Sequence, residues 1–317
     1  MDDVTDTVFR RVVAACAPPD LYFTEFVNVD GLQSPGRPRL LKKLRFQPKE
    51  QPLVAQIWGL KPENFYKTAQ QIADGTFARE MGLPEELNFA GVDLNMGCPD
   101  KTVVRNGACS GLINDPDRAK EIIDSTKEGL ADRLPLSVKT RVGFNEVNMD
   151  WIKFLLEQDL YMLTVHGRTK KQMSKVPANW DLIGQAREMR DAVGSKTLIV
   201  GNGDVMTKAE GLELANRHKL DGIMIGRGIF HDPFAFAEES PWDNYTAEQR
   251  IALYAQHVQL FMATWQDDER HVQTLNKFCK IYINGFEGAK EIRERLMKSS
   301  SSRELLASLS ELLTVAV

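Results

Sequence analysis

Val92-Asp93-Leu94-Asn95-Met96-Gly97-Cys98-Pro99 is a short apolar run that breaks off in a polar tip carrying glycine, a thiol and proline. The same pattern recurs at the tips Thr24-Glu25, Gln56, Lys139-Thr140-Arg141, His166-Gly167-Arg168, Gly201-Asn202-Gly203-Asp204 and Ile225-Gly226-Arg227-Gly228. Each run is followed by a stretch with helical periodicity. Repeated strand-then-helix units predict an α/β fold, a (β/α)8 TIM barrel, with the polar tips converging on the mouth at the carboxyl ends of the strands.

Working outward, strands are expected at residues 21–27, 53–58, 92–95, 136–142, 162–166, 198–202 and 222–226. Helices are expected at 5–16, from Pro62 onward, and at 118–129, 149–158, 182–193, 208–217 and 233–238. In the first, Val4, Val8, Val12 and Val13 are assigned to the buried side and Arg10 and Arg11 to the wet side. Pro62 suits the first turn of its helix, and Phe65, Ala69 and Ile72 recur at helical spacing after it. A closed barrel needs eight strands, and the chain opens directly on a helix, so the first strand is expected upstream of Met1. After about residue 240 the strand signal stops, and helices are expected at 247–264, 271–284, 289–298 and 303–313. The division expected is a barrel over residues 1–240 and a helical domain over 241–317.

With 317 residues, 43% hydrophobic and 26% charged, the chain can bury a full core without covalent staples. Asp2, Asp3 and Asp6 stand where a secretory signal needs basic residues, and no apolar run reaches membrane-spanning length, so a cytoplasmic protein is expected. Cys16, Cys98, Cys109 and Cys279 form no Cys-x-x-Cys pair and have no zinc-like histidine spacing, which argues against disulfides and metal. A net charge of −4 gives no global case for nucleic acid and leaves the question to local patches.

The glycine turns Gly201-Asn202-Gly203-Asp204 and Gly226-Arg227-Gly228 fall in the two consecutive loops where barrels of this kind hold phosphate on backbone N–H groups. Arg227 adds a forked cationic donor. Lys139, inside a strand at its mouth end, either meets a ligand or pairs with Glu25 or Asp93. His166 is either a ligand contact or a core histidine. Gln56 offers donor and acceptor to the edge of a heterocycle. Together they outline a mononucleotide with a polar ring, for which flavin mononucleotide (FMN) is the economical choice. Cys98, on an extended turn before Pro99, is a workable proton donor, with an ordinary thiol pKa near ~8.5.

Asn95-Met96-Gly97-Cys98-Pro99, followed by Val103-Val104 and Asn106-Gly107-Ala108-Cys109-Ser110-Gly111-Leu112-Ile113, resembles the signature of the tRNA-dihydrouridine synthases. Val138 to Arg141, Val165 to Thr169, Gly201 to Asp204 and Ile225 to Gly228 resemble further blocks of that family in the same order. Residues 277–289 resemble its carboxyl-terminal helical domain. The resemblance implies reduction of the C5=C6 bond of specific uridines in tRNA, with hydride from reduced FMN to C6, a proton from a cysteine to C5, and NADPH as reductant. By matching positions, Cys98 is implied as the acid, and Asn95 and Arg141 as contacts to the uracil edge or a nearby phosphate. Gln56, Lys139 and His166 are implied near the flavin ring, and Asn202, Gly203, Asp204, Gly226 and Arg227 around its phosphate. Met1 is what remains of a strand that forms part of the flavin floor in the family, and Arg168 is assigned with the substrate contacts. Cys109 stands where the family more often has a small residue without a thiol.

Two basic runs suit tRNA phosphates. One holds Arg37, Arg39, Lys42, Lys43, Arg45 and Lys49; the other, at 270–303, includes Lys277, Lys280 and Arg293. Either run is also readable as a solvated face. A monomer without metal or membrane contact is expected. The competing readings are an FMN-dependent reductase of a small pyrimidine or enone, and a non-redox RNA-binding barrel.

Overall fold

The computed structural model describes residue 1, residues 3–266 and residues 269–315. Its strands form one parallel sheet. β1 (Tyr22–Phe23) and β2 (Val27–Asn28) both pair with β3 (Leu53–Trp58). β4 (Gly91–Met96), β5 (Leu136–Arg141), β6 (Met162–His166), β7 (Leu198–Asn202) and β8 (Gly222–Met224) follow in chain order. Parallel neighbours in sequence order, joined through helices, are the winding of a (β/α) barrel. Among the described residues no strand precedes the helix Thr7–Cys16, and no pairing joins β8 to β1.

The expected strand at 21–27 is interrupted at Thr24. Its hydroxyl accepts the Gln56 N–H at 3.0 Å and donates to the Glu25 carbonyl at 2.7 Å, so a side chain takes a backbone partner from the ladder. The expected helix at 233–238 does not form. The 3-10 helix Arg227–Phe230 is followed by turns, in which Asp232 accepts the Phe234 N–H at 2.7 Å and the Ala235 and Ala237 N–H groups bond to carbonyls three residues back. Arg10 is only 3% exposed, contrary to its assignment to the wet side, because it lies one turn from buried Val13 on the same helix.

Contacts divide the chain into two compact units. One comprises Met1–Thr7 with Asp20–Gly226, the other Val8–Pro19 with Arg227–Val317. In the first, Phe65, Ala69 and Ile72 of the helix Pro62–Ala73 are buried, and its neighbour is the helix Pro116–Leu130. Asp115 caps that second helix by accepting the Arg118 N–H at 3.1 Å, worth about 1 kcal/mol. The pair packs closely at Gly129, where a Cβ would stand 2.3 Å from the Tyr66 carbonyl oxygen.

The second unit contains the helices Ala247–Thr264, Asn276–Tyr282, Ala289–Leu296 and Ser302–Val315. Tyr254 stacks on Tyr282 at 5.0 Å, and the Tyr282 hydroxyl lies 2.9 Å from His257 Nδ1, so the polar ends of this aromatic core are satisfied. The helix expected at 271–284 begins as the 3-10 turn Val272–Leu275.

Candidate active site

Strand register assembles the mouth. Side chains two residues apart on a strand share a face, and residues paired across parallel strands lie side by side. Gln56 pairs with Asp93 and Asp93 with Ser137. One step nearer the mouth, Asn95 pairs with Lys139 and Lys139 with Thr164. At the rim, Arg141 pairs with His166 and His166 with Asn202. Six residues singled out in the sequence, Gln56, Asn95, Lys139, Arg141, His166 and Asn202, are thus set in adjacent layers of one face.

The deepest layer is a closed hydrogen-bond chain. Fully buried Asp93 accepts from Gln56 Nε2 at 2.8 Å and from Ser137 Oγ at 2.6 Å, and Gln56 Oε1 accepts from Asn95 Nδ2 at 3.3 Å. Burial pushes the Asp93 carboxyl up to about 6, against those two hydrogen bonds and the nearby Lys139 charge. Burial, with the Arg141 charge, pulls the Lys139 ammonium down to about 8, and Asp93 opposes the shift. Lys139 forms no ion pair with Glu25 or Asp93, the alternative weighed from sequence. Among the described residues the buried hydroxyl of neighbouring Thr164 has no hydrogen-bond partner. A buried hydroxyl of this kind, beside the half-buried Lys139, calls for a partner brought by a ligand.

The Cys98 loop is held from two sides. Asn95 Oδ1 accepts the N–H groups of Gly97 at 3.1 Å and Cys98 at 3.0 Å, folding the chain back at the end of β4. Arg141 Nε donates to the Gly97 carbonyl at 2.7 Å, and its Nη1 reaches the carbonyls of Thr169 and Met173, each at 3.3 Å. Asp100 then caps the helix Lys101–Arg105. Beyond it Ser110 donates to the Cys98 carbonyl from N–H at 3.3 Å and from its hydroxyl at 2.8 Å.

These contacts bring Cys109 beside Cys98. The Cys109 S–H donates to the Cys98 sulfur, and this bond, with burial opposing and the Asp100 backbone N–H assisting, lowers the Cys98 thiol to about 7. The same bond and burial raise Cys109 well above the ordinary thiol value. Cys98 is therefore more acidic than the ordinary thiol read from sequence, because a second thiol solvates its anion. Cys16 and Cys279 are raised by burial to about 12 and about 11.

Arg168 is 3% exposed and turned inward. It pairs with Asp204, donates to the Val176 carbonyl, and lies 3.3 Å from His166 Nε2. Asp204 also accepts the Ala178 N–H at 2.9 Å. Gly203, at φ 133°, is the glycine this turn requires, since a Cβ there would meet Ala178 Cβ at 2.6 Å and His166 Cδ2 at 3.0 Å. Asn202 Nδ2 donates to the Met224 carbonyl at 2.8 Å, tying the β7 tip to β8, and Gly226 follows that strand with its flank open.

Cys98 opens onto a cleft of about 390 Å³ lined also by Phe26, Asn28, Leu40, Lys43, Trp58, Asp100 and Val103. Phe26, Asn28 and Trp58 are absent from the sequence reading, although each directly follows a polar tip or ends a strand. Arg37, from the first basic run, is engaged by Glu80 at 2.6 Å and stacks on Phe77, an acid the local sequence did not reveal. Met1, half-buried, donates from its amino group to Thr5 Oγ1 at 2.6 Å. Arg227, Lys277, Lys280 and Arg293 belong to the second unit. There Arg227, Lys277 and Lys280 are exposed, and Arg293 donates to the Ile283 carbonyl at 2.6 Å. Among the described residues no cluster of His, Cys, Asp or Glu is arranged to hold a metal ion, and no helix is long and apolar enough to cross a membrane.

A family model described as dihydrouridine synthase matches residues 1–317. The chain is 45% identical over 314 residues to a probable tRNA-dihydrouridine synthase of Staphylococcus aureus (strain COL), covering 98% of this chain and 90% of that protein. It is 42% identical over 314 residues to probable tRNA-dihydrouridine synthase 2 of Bacillus subtilis (strain 168), covering 98% and 91%. Among solved structures, histamine dehydrogenase from Rhizobium sp. 4-9 superposes with a TM-score of 0.50 at 11% identity, over 82% of this chain and 47% of that one, a likeness of fold alone.

Proposed function

This chain belongs to the dihydrouridine synthase family, and we propose that it is an FMN-dependent tRNA-dihydrouridine synthase in which Cys98 protonates the target uracil. The observation that carries the reading is the position of Cys98, held by Asn95 and Arg141 at the edge of a cleft lined by Phe26, Trp58 and Lys43.

The residues present fit a flavin. The unpartnered Thr164 hydroxyl and the half-buried Lys139, beside Gln56 and Asn95, suit the carbonyl edge of its ring, and the turns at Asn202-Gly203-Asp204 and Gly226 suit its phosphate. When bound, FMN supplies hydride to C6 of the uracil, and NADPH restores it. Asp93 orients the Gln56 amide and balances the charge of Lys139. Arg168 fixes His166 and Asp204 from behind, which assigns it to the architecture of the site. Asn95 and Arg141 hold the Cys98 loop, and Cys98 delivers its proton to C5, a role worth about 10²–10⁴-fold in rate.

A uridine inside folded RNA reaches such a cleft only by leaving its stack, and Phe26 and Trp58 offer aromatic surface to replace the lost stacking. Residues 1–240 are assigned to catalysis and residues 241–317, with Lys277, Lys280 and Arg293, to gripping tRNA phosphates. The test is purification of the protein, measurement of flavin absorbance, and conversion of unmodified tRNA with NADPH. Formation of dihydrouridine is expected; a flavin-loaded protein that reduces free uracil or an enone and ignores tRNA overturns the reading.

A further inference from the structure

We propose that Cys98 and Cys109 form a redox pair, closing reversibly to a disulfide when a hydroperoxide enters the cleft. Three structural features converge on this pair. The peptide joining Cys109 to Ser110 lies against the Cys98 carbonyl, pinned there by the two hydrogen bonds from Ser110 at 3.3 and 2.8 Å. Cys109 adopts φ 51°, a left-handed conformation unusual for a residue with a side chain, at the residue directly before the Ser110 that binds Cys98. Accessibility is asymmetric, for Cys98 lines the cleft while Cys109 is 1% exposed behind it.

That asymmetry is the arrangement of an attacking and a resolving thiol. The Cys98 thiolate attacks hydrogen peroxide; an S–O bond forms, the O–O bond breaks, and the departing hydroxide takes up a proton to become water. The Cys98 sulfur, now oxidised to a sulfenic acid, is attacked by the Cys109 sulfur. The S–S bond forms, the S–O bond breaks, and hydroxide leaves with the Cys109 proton as a second water. In sum, two thiols and one peroxide give one disulfide and two waters, and an added dithiol reverses the change. Burial keeps Cys16 and Cys279 protonated, which leaves Cys98 as the entry point. Closure removes the proton donor and shields Cys98 from irreversible over-oxidation.

The loss of activity rests on the function proposed above, but the linkage itself does not, so mass spectrometry separates the two. Flavin-loaded full-length protein is treated with hydrogen peroxide, blocked with an alkylating agent and digested without reductant. A peptide pair joined through Cys98 and Cys109, lighter by two hydrogens than its reduced parts, is expected, with tRNA reduction lost and then recovered with dithiothreitol. In Cys109→Ser the linked pair is absent, Cys98 gains two or three oxygens, and dithiothreitol restores nothing. Wild-type protein in which Cys98 goes to sulfinic acid without the linkage, or in which peroxide leaves Cys98 unmodified, overturns the proposal.

Discussion

Arg141 Nε lies 2.7 Å from the carbonyl oxygen of Gly97, the residue that immediately precedes Cys98. A buried guanidinium on β5 thereby sets the position of a loop that leaves β4. A methionine fills similar space without the donors. Arg141→Met is expected to keep flavin absorbance and lower the rate of tRNA reduction about 10²-fold, the scale at which slight misplacement of a reacting group is felt. Equal loss of flavin and activity would assign Arg141 to cofactor binding.

Asn95 supports the same loop from its own strand. Asn95→Ala leaves two loop N–H groups without their acceptor and removes a donor from Gln56. A loss of about 1–3 kcal/mol in stability is expected, measured by denaturant unfolding of the flavin-free protein. An unchanged midpoint would mean that the loop does not depend on this side chain.

The pH profile follows from the Cys98 thiol, held down to about 7 mainly by the Cys109 S–H. A general acid works in its protonated form, which dominates below that value and is depleted above it. Single-turnover reduction is therefore expected to be level below about pH 7 and to fall about tenfold per pH unit above it. Cys109→Ala removes the donor, so the Cys98 value returns upward and the fall moves to higher pH. A rate that rises through pH 7 would give Cys98 the opposite role, that of a base.

Gly203 is the tightest point of the turn assigned to phosphate, with His166 and Ala178 on either side. Gly203→Ala combines a left-handed φ with contacts that crowd Ala178 and His166. Flavin content on purification should drop sharply, while the far-ultraviolet circular dichroism remains that of an α/β protein. Full flavin content would remove both this turn and His166 from the cofactor site.

The barrel was legible because its signal is local. The strands 53–58, 162–166 and 198–202 run where apolar, β-branched residues predict them, since parallel buried strands have little choice of composition. Reading failed where a side chain competed with the backbone, as Thr24 does inside the first strand and Asp232 does ahead of the missing helix. The site was legible as a set of tips, because register converts equal depth in each strand into spatial adjacency. Two of its features were not. The inward turn of Arg168 depends on Asp204, far along the chain, and the meeting of Cys98 with Cys109 depends on how the helix Lys101–Arg105 folds back between them. Neither has a periodicity to betray it.

The central claim, that Cys98 gives its proton to the uracil, is tested most directly by mixing pre-reduced, flavin-loaded Cys98→Ala with unmodified tRNA and following flavin oxidation and dihydrouridine in one turnover. The variant is predicted to retain flavin absorbance and tRNA binding and to react about 10²–10⁴-fold more slowly than the parent. Reaction at the parent rate would contradict the account.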